Sequence, residues 1–214
     1  QGIDFLKGSW WPNHDELLHM GVPVYRFTQK AGDMVWVGGG CVHWVQSTGW
    51  CNNVAWNVGP ITPQQLTMAV HQYEYNKLCD YKSLVPMQHL FWQIAKNVRV
   101  TNQKVYSLIR GMLIRSLAYC KMVADFAESR HKQIKMHRRE AGDPSPYCCL
   151  CEIEVFNILF VREQAGKFAV SCVECARKAN LQDYHVLQQT SFQELCQIFD
   201  NFQLHMISKQ TLVA

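Results

Sequence analysis

The sequence predicts an α+β chain in three parts: a stretch of short strands of the small antiparallel barrel type (residues 1–61), a helical linker (62–142) and a small four-cysteine lobe (143–214). Three observations predict it. Between Gly32 and Pro60, valines and tryptophans alternate around turn glycines, the period-2 pattern of short paired strands. After Gly59-Pro60 the apolar spacing changes to three and four, the period of a helix. Beyond Arg139 stand two C-x-x-C pairs at metal-ligand spacing.

Each element follows from local signals. Asn13 to Met20 reads as a short helix, with Pro12 before it, Asp15 and Glu16 in its first turn and Gly21 after it. Val22 to Thr28 and Met34 to Val37 read as strands on either side of an Ala31-Gly32-Asp33 turn. Val42 and Trp44-Val45, then Val54 and Trp56, continue the pattern beyond Gly38–Gly40. Trp10, Trp11, Trp36, Trp44, Trp50 and Trp56 read as core and barrel wall rather than as a cage for a methylated ammonium group. Thr62 caps a helix from Pro63, with Leu66, Ala69, Val70 and Tyr73 on one face. Pro86 starts another through Leu90, Phe91 and Ile94. Thr101 or Asn102 caps a long helix carrying Val105, Leu108, Ile109, Met112, Leu113 and Leu117, which passes Phe126 and frays in the basic run Arg130 to Arg139. Asp143-Pro144-Ser145-Pro146 is a breaker. Val155 to Val161 is strand-like, and a capped helix runs from Ser191 through Phe199.

Composition sets limits on function. A hydrophobic content of 48% is enough for 214 residues to build a core. The net charge of +4 is too mild to argue nucleic-acid binding. The basic run Arg130 to Arg139 reads as a solvated helix end ahead of a contact to nucleosomal DNA, and direct DNA contact stays open. No run approaches the roughly 18 apolar residues that span a bilayer, and no signal pattern opens the chain. Because it opens on Gln1 in sequence that already reads as folded, the chain is expected to be a piece of something longer. No P-loop, G-x-G-x-x-G, Ser-His-Asp or Cys-His set is present.

Four of the ten cysteines form the two pairs Cys148-x-x-Cys151 and Cys172-x-x-Cys175, separated by twenty residues. Each pair can curl both sulfurs toward one ion, and four thiolates close a tetrahedral zinc site with no position left for a reaction. Cys149 competes with Cys148, but it would make a C-x-C, which chelates less readily, so Cys148 is preferred. Cys41, Cys51, Cys79, Cys120 and Cys196 are expected to be small buried residues, a usage that fits a reducing compartment. His43 follows the glycine turn, where a strand start can face a barrel mouth, and Asn53 stands ten residues on in a second apolar strand.

These residues carry a resemblance. Gly32 to Pro60 resembles the metal-binding end of a Jumonji C (JmjC) domain, and the closer likeness is to histone H3 lysine-27 demethylases of the UTX/UTY type. GSWWP at 8–12, VPVYRF at 22–27, VHWVQ at 42–46, WCNNVAWNVGP at 50–60, VPM at 85–87, YCCLCEIEVFNILFV at 147–161 and CVECARK at 172–178 are all similar to that family.

The resemblance implies the C-terminal part of a double-stranded β-helix (jelly-roll, cupin-like) barrel, then the helical linker, then a treble-clef-like zinc lobe that helps hold the histone tail. It implies His43 as the last of three Fe(II) ligands and Asn53 as a 2-oxoglutarate contact, with Zn(II) on Cys148, Cys151, Cys172 and Cys175. The first histidine and the carboxylate, an H-x-D/E pair, are expected before Gln1. The H-x-E at His14-Asp15-Glu16 is set aside, because it falls in a predicted helix 29 residues before His43 and aligns with a segment carrying no ligands. The expected activity of the intact protein is demethylation of histone H3 lysine-27. Its expected partners are the H3 tail, the nucleosome and other chromatin-complex subunits, in the nucleus and with no membrane role. These 214 residues alone are expected to be inactive. The alternative is a catalytically incomplete chromatin-binding or scaffold module.

Overall fold

A computed structural model describes residues 11–140, 146–164 and 167–206. Trp10 and the breaker residues Asp143 to Ser145 lie outside them. The chain divides into two compact units, Gln1–Gly59 and Pro60–Ala214. Among the described residues, no helix is long and apolar enough to cross a membrane.

In the first unit the local signals hold and the long-range ones do not. Helix α1 (His14–His19) is capped by Asn13, whose side-chain oxygen accepts from the amides of Asp15 and Glu16. The turn at Ala31-Gly32 closes with Asp33 N donating to Lys30 O at 3.1 Å, and Gly32 takes the left-handed φ of +89°. A second turn closes with Cys41 N on Gly38 O at 3.1 Å. Yet no strand forms among described residues 11–59, and none of them is buried. The strands expected at Val22–Thr28, Met34–Val37 and beyond are therefore corrected: these segments pair with no ladder. A strand exists only where a second strand takes up its amides and carbonyls, and its apolar face is buried only when a sheet is complete. The same deficit corrects the tryptophans. Trp11, Trp36, Trp50 and Trp56 are exposed rather than wall residues, and so are Cys41 and Cys51.

The second unit is built on one long helix. Helix α2 (Pro63–Leu78) begins where Thr62 Oγ1 accepts from Gln65 N at 3.2 Å, with Pro63 at its first position. Helix α3 (Met87–Asn97) starts after Pro86, and α4 (Gln103–Ser129) is capped by Asn102. The basic run does more than fray. After Arg130 and a left-handed His131, residues Ile134–Met136 form strand β1. It pairs in parallel with β4 (His185–Gln188), a partner fifty residues away that no local pattern announces. Strands β2 (Ile158–Gln164) and β3 (Lys167–Ser171) form an antiparallel pair, and the sheet order is β1-β4-β2-β3. Helix α5 (Val173–Lys178) follows β3, and α6 (Phe192–Asn201) is capped by Ser191.

α4 is shared by two cores. Along its first half, Val105, Ile109, Met112, Leu113 and Leu117 pack with Leu66, Val70 and Tyr73 of α2, Phe91, Trp92 and Ile94 of α3, and Leu195 and Phe202 at the chain's end. Farther along, Val123 and Ala127 meet Ile158, Phe160, Tyr184 and Val186 of the sheet. Trp92 places its indole N–H on Ser116 Oγ at 3.1 Å, which satisfies the polar end of a buried aromatic. The cysteine lobe and the helices therefore share one framework. Leu113, with no exposed surface, should lose about 2–5 kcal/mol on replacement by alanine, whereas the exposed Met122 should change stability by about 0.5 kcal/mol or less. Urea unfolding followed by Trp92 fluorescence would measure both, and equal effects would contradict this core assignment.

Candidate metal centre

A tight loop and a helix start bring the four cysteines together. In the loop, Cys148 N donates to Ile153 O at 2.8 Å and Glu152 N donates to Cys148 O at 2.9 Å. Glu152 adopts a left-handed φ of +57°, which lets the chain reverse, and an isolated antiparallel bridge joins Tyr147 to Glu154. The reversal turns the Cys148 and Cys151 side chains to the same side. Opposite them, Cys172 directly follows β3 and is the N-cap of α5, its sulfur accepting from Cys175 N at 3.4 Å. The first turn of α5 then presents Cys175 beside it.

All four sulfurs lie within 4.8 Å of one another, and this is the only cluster of three or more potential metal ligands among the described residues. Cys151 Sγ and Cys172 Sγ stand 3.7 Å apart. Zinc–sulfur bonds of about 2.3 Å in a tetrahedron require an edge of about 3.8 Å, so the spacing fits a zinc ion. Cys148 and Cys172 are buried against Val155, Leu159 and Val161, and Cys151 and Cys175 are half-buried. Cys149 is exposed and its sulfur lies 3.6 Å from Ser171 Oγ, outside the cluster that holds Cys148. All ten cysteines are free thiols.

The electrostatics argue for a cation. Burial opposes charge on Cys148, but hydrogen bonds from the backbone of Cys151, Cys172 and Leu150 outweigh it and bring that thiol down to about 7. Burial pushes Cys172 up, and the neighbouring Cys148 and Cys151 charges reinforce it. Burial likewise pushes Cys175 up to about 12. Burial, with the neighbouring charges adding to it, thus opposes ionisation of Cys172 and Cys175. A divalent ion reverses this, drawing the protons off as it binds.

The residues expected at an iron site fare differently. His43 is exposed, and its Nδ1 lies 3.1 Å from Cys41 O. Asn53 is also exposed. In α1, His14 Nδ1 lies 3.5 Å from Asp15 Oδ1. Among the described residues nothing gathers a second and third ligand about His43, so they do not by themselves fit an iron ion. The sequence reading also missed a buried pair. Glu154 and His89 meet at 2.6 Å between the cysteine loop and α3, and the signal was a carboxylate inside the apolar run Ile153–Phe160.

Comparison with known proteins matches three families along the chain. "JmjC domain, hydroxylase" matches residues 1–58, "Lysine-specific demethylase 6/UTY, C-terminal helical domain" matches 65–120, and "KDM6, GATA-like" matches 137–192, which contains the four cysteines. The human protein "Lysine-specific demethylase 6B" is 43% identical over 208 residues, covering 95% of this chain and 13% of its own length. The Caenorhabditis elegans protein "Lysine-specific demethylase jmjd-3.1" is 38% identical over 167 residues, 74% of this chain and 15% of its own. The chain thus spans a small part of the length of either relative.

Two outcomes test the centre. Cys148→Ser should lose zinc while Cys149→Ser keeps one ion per chain by native mass spectrometry; the reverse pattern would put the wrong cysteine in the site. Because zinc must displace protons from Cys172 and Cys175, its affinity should fall by more than about a hundredfold as the pH drops from about 8 to about 6. A flat profile would contradict thiolate ligation.

Proposed function

We propose, from the premise that the chain belongs to the lysine-specific demethylase 6 family, that it forms part of an Fe(II)- and 2-oxoglutarate-dependent enzyme that demethylates histone H3 lysine-27. The observation that carries this reading is the ordered succession of a JmjC hydroxylase match, a demethylase-type helical domain and a GATA-like lobe, the last with its four thiols gathered at zinc spacing. The histone H3 tail on the nucleosome is then the substrate, other chromatin-complex subunits are its companions, and the nucleus is its place of action. The division at 61/62 and 142/143 separates the barrel end, the helices and the lobe.

Within this reading His43 donates one imidazole nitrogen to iron and Asn53 orients 2-oxoglutarate, both by their positions in the JmjC match. When bound, iron and 2-oxoglutarate supply the oxidising chemistry. The zinc lobe contributes stability and peptide recognition, since four thiolates leave no open coordination position.

His43→Ala, made in the full-length protein that carries this chain, should abolish formaldehyde release from an H3 peptide methylated at lysine-27 and leave zinc content unchanged. Undiminished release would remove His43 from the iron site. The 214 residues by themselves should release no formaldehyde, and iron-dependent release by them would show that they hold a whole site.

A further inference from the structure

The loop that bears Cys148 and Cys151 ends in a carboxylate with no exposed surface. Glu154 lies three positions after Cys151, and its side chain is fully buried. Its Oε2 accepts from Gln88 N at 3.0 Å, and its Oε1 accepts from His89 N at 3.0 Å while lying 2.6 Å from His89 Nδ1. Gln88 and His89 are the second and third residues of α3, a helix whose own N-cap, Pro86, makes no side-chain hydrogen bond. The first amides of a helix have no partner within it, and the helix dipole favours negative charge there. Glu154 therefore caps α3 from 65 positions away in sequence.

Both ends of this contact lead somewhere. On the helical side, Gln88 Nε2 donates to Tyr73 Oη at 3.1 Å, Ser116 Oγ donates to Gln88 Oε1 at 3.2 Å, and Trp92 Nε1 donates to Ser116 Oγ. The first turn of α3 is thereby joined to α2 and α4. On the other side, Glu154 is positioned by its bridge to Tyr147 and by the turn that closes on Cys148. The tip of that turn holds no apolar anchor, since Cys149 and Leu150 are exposed. Beyond its backbone bonds it is held by the pair of sulfurs and, at its start, by Tyr147, whose hydroxyl donates to Leu84 O at 3.4 Å and whose ring lies under Lys82 Nζ.

We propose that Glu154 couples the metal state of the four-thiol centre to the start of helix α3. With the centre loaded, the loop from Tyr147 to Glu154 is closed and the carboxylate caps the helix. With the centre emptied, the loop loosens, the carboxylate leaves Gln88 and His89, and the first turn of α3 frays. This inference rests on the zinc reading above. The effect is local: Phe156, beyond the loop, stacks on Trp92 at 5.9 Å and keeps the lobe docked. A further tie in the same region, Lys82 Nζ to Glu152 Oε1 at 3.6 Å, is exposed on both sides and holds little.

Hydrogen exchange on the full 214-residue chain tests this, with zinc content measured in parallel before and after chelation. Removing zinc should speed exchange of the Gln88 and His89 amides by about tenfold or more relative to Leu113 and Leu117 in mid-α4, the factor expected for loss of a helix cap. E154Q should bind one zinc and show that fast exchange with the metal present, while E152Q should behave as the unsubstituted chain. Unchanged protection at Gln88 and His89 after the zinc has left would overturn the coupling, as would E154Q retaining zinc-dependent protection. Melting of α3 and α4 together would also overturn it, in favour of a single cooperative unit. The chelation comparison needs no variant, so a poorly folding E154Q does not spare the proposal. A chain that never binds zinc would instead sink the zinc reading and this inference together.

Discussion

Bringing four sulfur atoms within 4.8 Å of one another, two of them buried, creates a site that resists its own ionisation. Only a cation lets all four carry charge, and the arrangement of the C-terminal unit follows from satisfying it. The reversal at Glu152, the end of β3 directly before Cys172 and the start of α5 are the three backbone features that aim the thiols. Each would have little reason to hold its shape with the sulfurs unsatisfied. The apolar residues directly around the cysteines form only a small cluster, Val155, Leu159 and Val161, the usual circumstance in which a small module relies on a metal.

The lobe is not an appendage of the helices. α4 lends its first half to the helical core and its last turns to the sheet, and Glu154 inserts a buried charge at the head of α3. A buried carboxylate is costly to desolvate, and here two amides and an imidazole offset that cost. Such a contact tolerates little misplacement, so it fixes how the lobe and the α2–α3–α4 core meet.

Local physics made much of this legible in the sequence. Thr62, Asn102 and Ser191 cap the helices they were expected to cap, because an N-cap needs only the amides two or three residues ahead. The two C-x-x-C pairs were legible for a similar reason: each pair is a short-range device, and only their meeting is long-range. What stayed hidden depends on distant partners. β1 lies in a run that looks merely basic, and it becomes a strand because β4 is alongside it. Glu154 looks like a stray acid in an apolar stretch until the head of α3 is placed next to it. The barrel segment shows the converse. Its alternation of Val35, Val37, Val42 and Trp44 is a true strand pattern, but alternation specifies a face to bury and does not supply the neighbouring strand. His43 and Asn53 were read from a family likeness, and both stand exposed on the first unit.

Zinc K-edge X-ray absorption on the purified chain tests the central claim most directly. A shell of four sulfurs at about 2.3 Å, with no lighter donor, is the predicted result. A first shell containing nitrogen or oxygen, or fewer than four sulfurs, would show that Cys148, Cys151, Cys172 and Cys175 do not close around one ion.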